Sequence, residues 1–147
     1  MTTFGSERVR DEAILVARIL LVVLFLVFGW GKLTDYTGTV GYMTRTGAPV
    51  PSVAAAVAIV VEVPVALAVA LGVWTRPLAL LLALYTLGTA LIGHPFWAME
   101  GAARYANAIN FYKNISIIGG FLLLYVTGPG RYSVDAKLGA SNTPLPR

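Results

Sequence analysis

The feature that most constrains this chain is the apolar run ILLVVLFLVFGWG, which follows Arg18 and meets no polar side chain before Lys32. With the residues before it, the stretch from Ala13 to Leu33 has the length needed to cross a ~30 Å hydrocarbon layer as one helix. A segment inside lipid must satisfy its own backbone polar groups, and a helix does so. A signal peptide would also place basic residues such as Arg8 and Arg10 before an apolar run. No small-residue cleavage pattern follows Phe28, so a retained span is the expectation.

Three further apolar stretches repeat the pattern, at about 53–73, 77–93 and 107–127. Composition agrees with them: of 147 residues 57% are apolar and 12% charged, against roughly a quarter charged in ordinary soluble domains. Mean hydropathy is +0.74. The expected fold class is therefore all-α, an integral membrane four-helix bundle over residues 13–127. A cytoplasmic N-terminal tail (1–12) precedes it, and a loose polar C-terminal tail (128–147) follows. Between the first two spans, a Gly, Thr, Tyr and Pro-rich stretch reads as a loop or short interfacial segment, and Thr75-Arg76-Pro77 makes a tight hairpin connection.

The formal charge of +4 does not indicate nucleic acid, because the eleven Lys and Arg residues are dispersed between apolar runs and form no basic stripe. They read instead as topology signals. Arg8, Arg10, Arg76, Arg131, Lys137 and Arg147 fall on one side, and Lys32, Arg45, Arg104 and Lys113 on the other. That bias puts both termini in the cytoplasm. The absence of cysteine removes thiolate metal sites, iron–sulfur clusters and thiol nucleophiles, and a single histidine argues against a metal centre.

Against this background the ionisable residues inside the spans become the candidate site. Glu62 falls near the middle of the second span, where a charged side chain costs at least ~2.5–3.5 kcal/mol. Such a residue is either paired within the bundle, fixing helix packing, or used for proton transfer or ligand contact. Arg18, about one and a half turns into the first span, either snorkels to headgroups or turns inward to meet Glu62 or an anionic ligand. Lys32 closes the first span, beside two glycines that permit close helix approach.

In the fourth span Asn107, Asn110 and Asn114 recur at helical spacing, with Lys113 among them. They suit interhelical hydrogen bonding or a ligand carbonyl. His94 leaves the third span in GHPFW, near Phe96, Trp97, Tyr105, Phe111 and Tyr112. A lone histidine there suits an interfacial partner or a proton relay better than a metal. On the expected topology Lys32, His94, Asn110, Lys113 and Asn114 share the outer end of the bundle, with Glu62 below them. This describes a pocket for a lipid-soluble molecule with polar oxygens, such as a quinone.

The motifs FLVFGWGKL, VEVPVALAVALG, GHPFW and FYKNISIIGGFLLL, in this order and spacing, resemble those of the DoxX family of small four-span bacterial membrane proteins. The resemblance covers about Arg18 to Tyr125. It implies an inner-membrane protein related to the small subunit of thiosulfate:quinone oxidoreductase, or to membrane oxidoreductase complexes that counter oxidative stress. Lys32, Glu62, His94, Lys113 and Asn114 match polar positions of the family pattern, which assigns none of them a catalytic role. The chain has no dinucleotide fingerprint or haem-ligand pair, so it carries no intrinsic redox cofactor.

The leading expectation is accordingly a quinone-associated oxidoreductase subunit with membrane or periplasmic partner subunits, or a homo-oligomer. The alternatives are a non-catalytic assembly subunit and a small proton-coupled transporter.

Overall fold

In the computed structural model, which describes residues 4–139, helices account for nearly all of the regular structure. Helix α1 spans Phe4–Thr34, α2 Tyr36–Arg45 and α3 Pro51–Val60; a π-helical turn at Val61–Val65 joins α3 to α4, Ala66–Leu71. Helix α5 covers Thr75–Gly93, a 3₁₀ turn follows at Phe96–Ala98, α6 covers Gly101–Thr127, and α7 is a single turn at Val134–Lys137. Four segments are long and apolar enough to cross a membrane: Ser6–Thr34, Pro51–Leu71, Thr75–Ala98 and Gly101–Thr127. Among the described residues there is no strand.

Two segments carry more structure than the sequence reading specified. The stretch after the first span, read as a loop or short interfacial segment, is the short helix α2. The carboxylate of Asp35 caps it by accepting from Gly38 N–H, and Arg45 occupies its last turn. The first twelve residues are not a plain tail. Helix α1 begins at Phe4, and an Arg8–Glu12 pair at 2.9 Å, four residues apart, braces its exposed first turns.

The helices alternate in direction, and α5 and α6 form the most extensive pairing, while α1 lies against the second span. Between lipid-facing helices burial of apolar surface supplies no driving force, so close van der Waals fit must hold the bundle. The residues that make this possible are small: Ala55, Ala66, Ala79 and Ala90 are completely buried. Phe25 and Phe121 meet edge to face at 5.6 Å between centroids, joining α1 to α6. Large apolar side chains such as Leu20, Phe28, Leu84 and Leu123 face outward, as a bilayer requires.

The C-terminal stretch is where structure departs furthest from the sequence expectation of a loose polar tail. Residues 128–138 fold back over the end of the bundle where the chain begins, with Ser133 and Asp135 buried. The Asp135 carboxylate accepts from Trp74 N–H and Thr75 N–H, both at 2.9 Å. It thereby caps the start of α5, which has no side-chain cap of its own at Trp74. Asp135 N–H donates in turn to Gly72 O at 2.9 Å. Gly72 has φ +75°, and a methyl group there would lie 2.4 Å from Ser133 Cβ, so glycine is required on both counts. Residues 140–147, including Arg147, lie outside the described residues.

Candidate functional site

The second span contains Pro64, which has no N–H to give to a helix. The chain answers with the π-helical turn, in which Ala66 N–H reaches back five residues to Val61 O. Such bulges turn neighbouring side chains out of the regular helical register and recur at functional positions. Here the bulge coincides with the packing of Glu62 against α1. A methyl group at Gly29 would lie 2.6 Å from Glu62 Cβ and about as close to Val63, so only glycine allows the two helices this approach.

With the backbones this close, the Glu62 side chain is buried among three elements. Lys32 Nζ donates to Glu62 Oε2 at 2.7 Å, and the Tyr85 hydroxyl of α5 donates to Glu62 Oε1 at 2.5 Å. The side chains of Lys32 and Glu62 are 22% and 8% exposed, so both charges are largely removed from solvent. A long cationic side chain near a helix end usually extends toward water. Lys32 instead reaches along the bundle to the carboxylate, and its ammonium also lies 6.0 Å from the Phe28 ring centroid. The formal charges cancel, which is what makes them tolerable at this depth.

Beside this group an apolar cleft of about 450 Å³ opens on the lipid-facing surface, lined by Leu26, Val27, Trp30 and Val63. Its lining residues flank Gly29 on α1 and follow Glu62 on the second span. Lys32, Glu62 and Tyr85 themselves are not among the residues that line it.

The other polar candidates fall into separate groups. His94 Nδ1 is 2.9 Å from Asn107 Oδ1, while Asn107 Nδ2 donates to Ala103 O at 3.0 Å. The second bond fixes the amide orientation, so His94 Nδ1 is the donor to Asn107 Oδ1. Lys113 Nζ donates to Asn110 Oδ1 at 2.9 Å on an exposed part of α6. Phe96, Trp97, Phe111 and Tyr112 pack ring against ring, with centroids 5.4–5.8 Å apart.

Asn114 is buried at 8% exposure and makes no side-chain hydrogen bond among the described residues. The Phe25–Phe121 contact sets its level. Asn114 lies seven residues before Phe121 and Lys32 seven after Phe25, each about 10 Å along antiparallel helices. Asn114 therefore stands at the level of the Lys32 backbone.

Arg18 takes neither of the roles its sequence position suggested. It is 1% exposed, so it does not snorkel, and it is not bonded to Glu62. Its guanidinium donates to three carbonyls: Ala70 O at 3.1 Å, Tyr132 O at 2.7 Å, and Pro129 O. Among the described residues, no group of three or more His, Asp or Glu is arranged to hold a metal ion.

Comparison with known proteins extends this description. The DoxX family model matches residues 13–95. Inner membrane protein YphA of Escherichia coli is 52% identical over 134 residues, covering 91% of this chain and 94% of that protein. Inner membrane protein YqjF of the same organism is 45% identical, covering 90% and 96%. A more distant relative, the ER-derived vesicles protein ERV29 of Saccharomyces cerevisiae, is 25% identical over 92% of this chain but only 39% of its own length. No solved structure matches.

Proposed function

Since the chain belongs to the DoxX family, we propose that it is a quinone-associated subunit of an inner-membrane oxidoreductase, with the Lys32–Glu62–Tyr85 group as the quinone head-group site. The inner-membrane assignment follows the two bacterial relatives, which cover nearly the whole chain. The observation that carries the reading is a buried, hydrogen-bonded ion pair whose Glu62 is next in sequence to Val63, part of the lining of an exposed apolar cleft.

The donor set suits the ligand chemistry. A quinone offers two carbonyl oxygens on an apolar ring, and it must gain protons when it is reduced. The Lys32 ammonium has three N–H groups, of which Glu62 takes one. The remaining two would be available to a ligand carbonyl. Glu62 holds both the ammonium and the Tyr85 hydroxyl in place, which is a positioning role, and its carboxylate is an acceptor through which a proton can be exchanged. The buried amide of Asn114, at the level of the Lys32 backbone, supplies a further donor. The bound quinone would supply the redox chemistry, and a partner subunit the electrons.

A second reading draws on the same triad. Lys32, Glu62 and Tyr85 join α1, the second span and α5, and each is satisfied internally, as in a bundle-locking network of an assembly subunit.

Two variants separate these readings. The protein is purified in mild detergent, and its organic extract is analysed by mass spectrometry together with the copurifying polypeptides. Stoichiometric quinone in the wild type, lost in Lys32→Met and retained in Lys113→Met, supports the quinone site. Lys113 serves as the control because its partner is Asn110 rather than the carboxylate. Copurifying partners without quinone, in a wild type that stays folded, would assign the triad to assembly.

A further inference from the structure

At the end of the bundle opposite α2, the two ends of the described chain come together around a cleft that the triad does not explain. It has a volume of about 540 Å³ and is lined by Arg10, Asp11 and Ile14 of α1, Thr127 at the end of α6, and the folded-back segment including Arg131 and Lys137. We propose that this cleft holds the phosphodiester of an anionic membrane lipid.

Charge is the first argument. Three cations and one carboxylate line the cleft, and the carboxylate is already engaged. Asp11 is 8% exposed, its Oδ1 accepts from Arg131 N–H at 3.4 Å, and it lies 3.9 Å from Arg10 Nη2. Neither the Arg131 guanidinium nor the Lys137 ammonium makes an ion pair among the described residues. Arg131 rests over the Tyr132 ring, 6.0 Å from its centroid, which restricts where its fork can point. Three cations against one carboxylate leave two positive charges in excess, enough to receive an anion, and guanidinium forks match phosphate oxygens in pairs.

Position is the second argument, and it selects lipid as the source of that phosphate. Thr127 is the last residue of a membrane-spanning helix, and Arg10 and Ile14 lie within the first turns of another. The cleft therefore stands at headgroup level. From it the same two helices continue into the bilayer with exposed apolar side chains, Val16 and Leu20 on α1 and Leu123 and Val126 on α6. A lipid with its phosphate in the cleft has an apolar surface along which to lay its chains. Cleft volume is within the ~300–1,000 Å³ of ordinary ligand sites, ample for a headgroup.

The test uses the full-length protein, delipidated in detergent and titrated with phosphatidylglycerol or phosphatidylcholine while adducts are counted by native mass spectrometry. The expected result is preferential retention of phosphatidylglycerol. Affinity should fall about fivefold for each cation removed and ~25-fold in Arg131→Gln/Lys137→Gln, with no change in Arg45→Gln at the opposite end. Both cations are exposed, so the double variant keeps the fold, which circular dichroism checks. Equal retention of the two lipids, or an unchanged double variant, overturns the proposal. Displacement of the lipid by inorganic phosphate at millimolar concentration overturns the lipid assignment and makes the cleft a free-phosphate site.

Discussion

The molecule buries two cations in two different ways. Arg18 sits at the end of the bundle where the chain begins and is surrounded by backbone carbonyls from Ala70, Pro129 and Tyr132. Lys32 sits in the last turn of α1 and faces a carboxylate and, through it, a phenol. The first arrangement uses a rigid fork that joins segments far apart in sequence. Its partners are main-chain atoms that have no second protonation state. The second consists of three side chains bonded to one another, and its Glu62 is next in sequence to Val63, which lines an exposed apolar cleft. One joins side chain to main chain and the other joins side chains only, and the proposed quinone site rests on that contrast.

The sharpest way to break the contrast is to remove one partner from each. Lys32→Met leaves the Glu62 carboxylate buried without its counter-ion, at an expected cost of about 3–5 kcal/mol. The double variant Lys32→Met/Glu62→Gln should recover most of it, because the cost arises from the orphaned charge. Detergent-solubilised thermal unfolding of the three proteins measures this, and a double variant no more stable than Lys32→Met would mean that the pair carries no coupling.

Arg18→Met should cost roughly 3 kcal/mol, by orphaning buried carbonyls rather than a charge. Arg18→Lys should not restore it, since one ammonium cannot reproduce the fork that reaches both Ala70 O and the carbonyls of the folded-back segment. Quinone content per folded molecule should be unchanged in both Arg18 variants. A loss there would move function to the end of the bundle.

Tyr85→Phe removes a single 2.5 Å bond to a charged acceptor, worth about 1.5–3 kcal/mol. Its effect on quinone retention should exceed its effect on unfolding temperature. The reverse order would favour the bundle-locking reading.

What the sequence made legible follows from the range of the interactions. The four spans could be read because each depends only on its own run of apolar residues. Glu62 stood out because a carboxylate at mid-span needs a reason wherever it occurs. Its partner Lys32 was identified as a candidate, though the pairing was not, because it depends on the rotation of α1 against the π-helical turn at Pro64. Tyr85 was missed. Tyrosines in membrane helices usually mark the interface, and the overlooked signal was its place in the middle of α5 rather than at an end.

The Arg18 cage was beyond reach for another reason. Two of its acceptors lie 111 and 114 residues away, in a segment whose polar composition reads as tail. Carbonyl oxygens leave no trace in a sequence, so nothing along the chain marks where such a cation will dock.

The smallest predicted effect tests whether that segment is part of the fold. Asp135 caps α5 from outside the helix, doing for Trp74 and Thr75 what a local Ser or Asp does elsewhere. Asp135→Asn keeps one carbonyl acceptor and loses the second together with the charge, so the expected cost is about 1 kcal/mol, that of a helix cap. Hydrogen exchange should localise it, with faster exchange at the Trp74 and Thr75 amides and at the substituted position itself, and little change near Glu62. If exchange rises throughout the bundle instead, the strap made by residues 128–138 transmits to the ion pair. The two buried cations would then be coupled rather than independent.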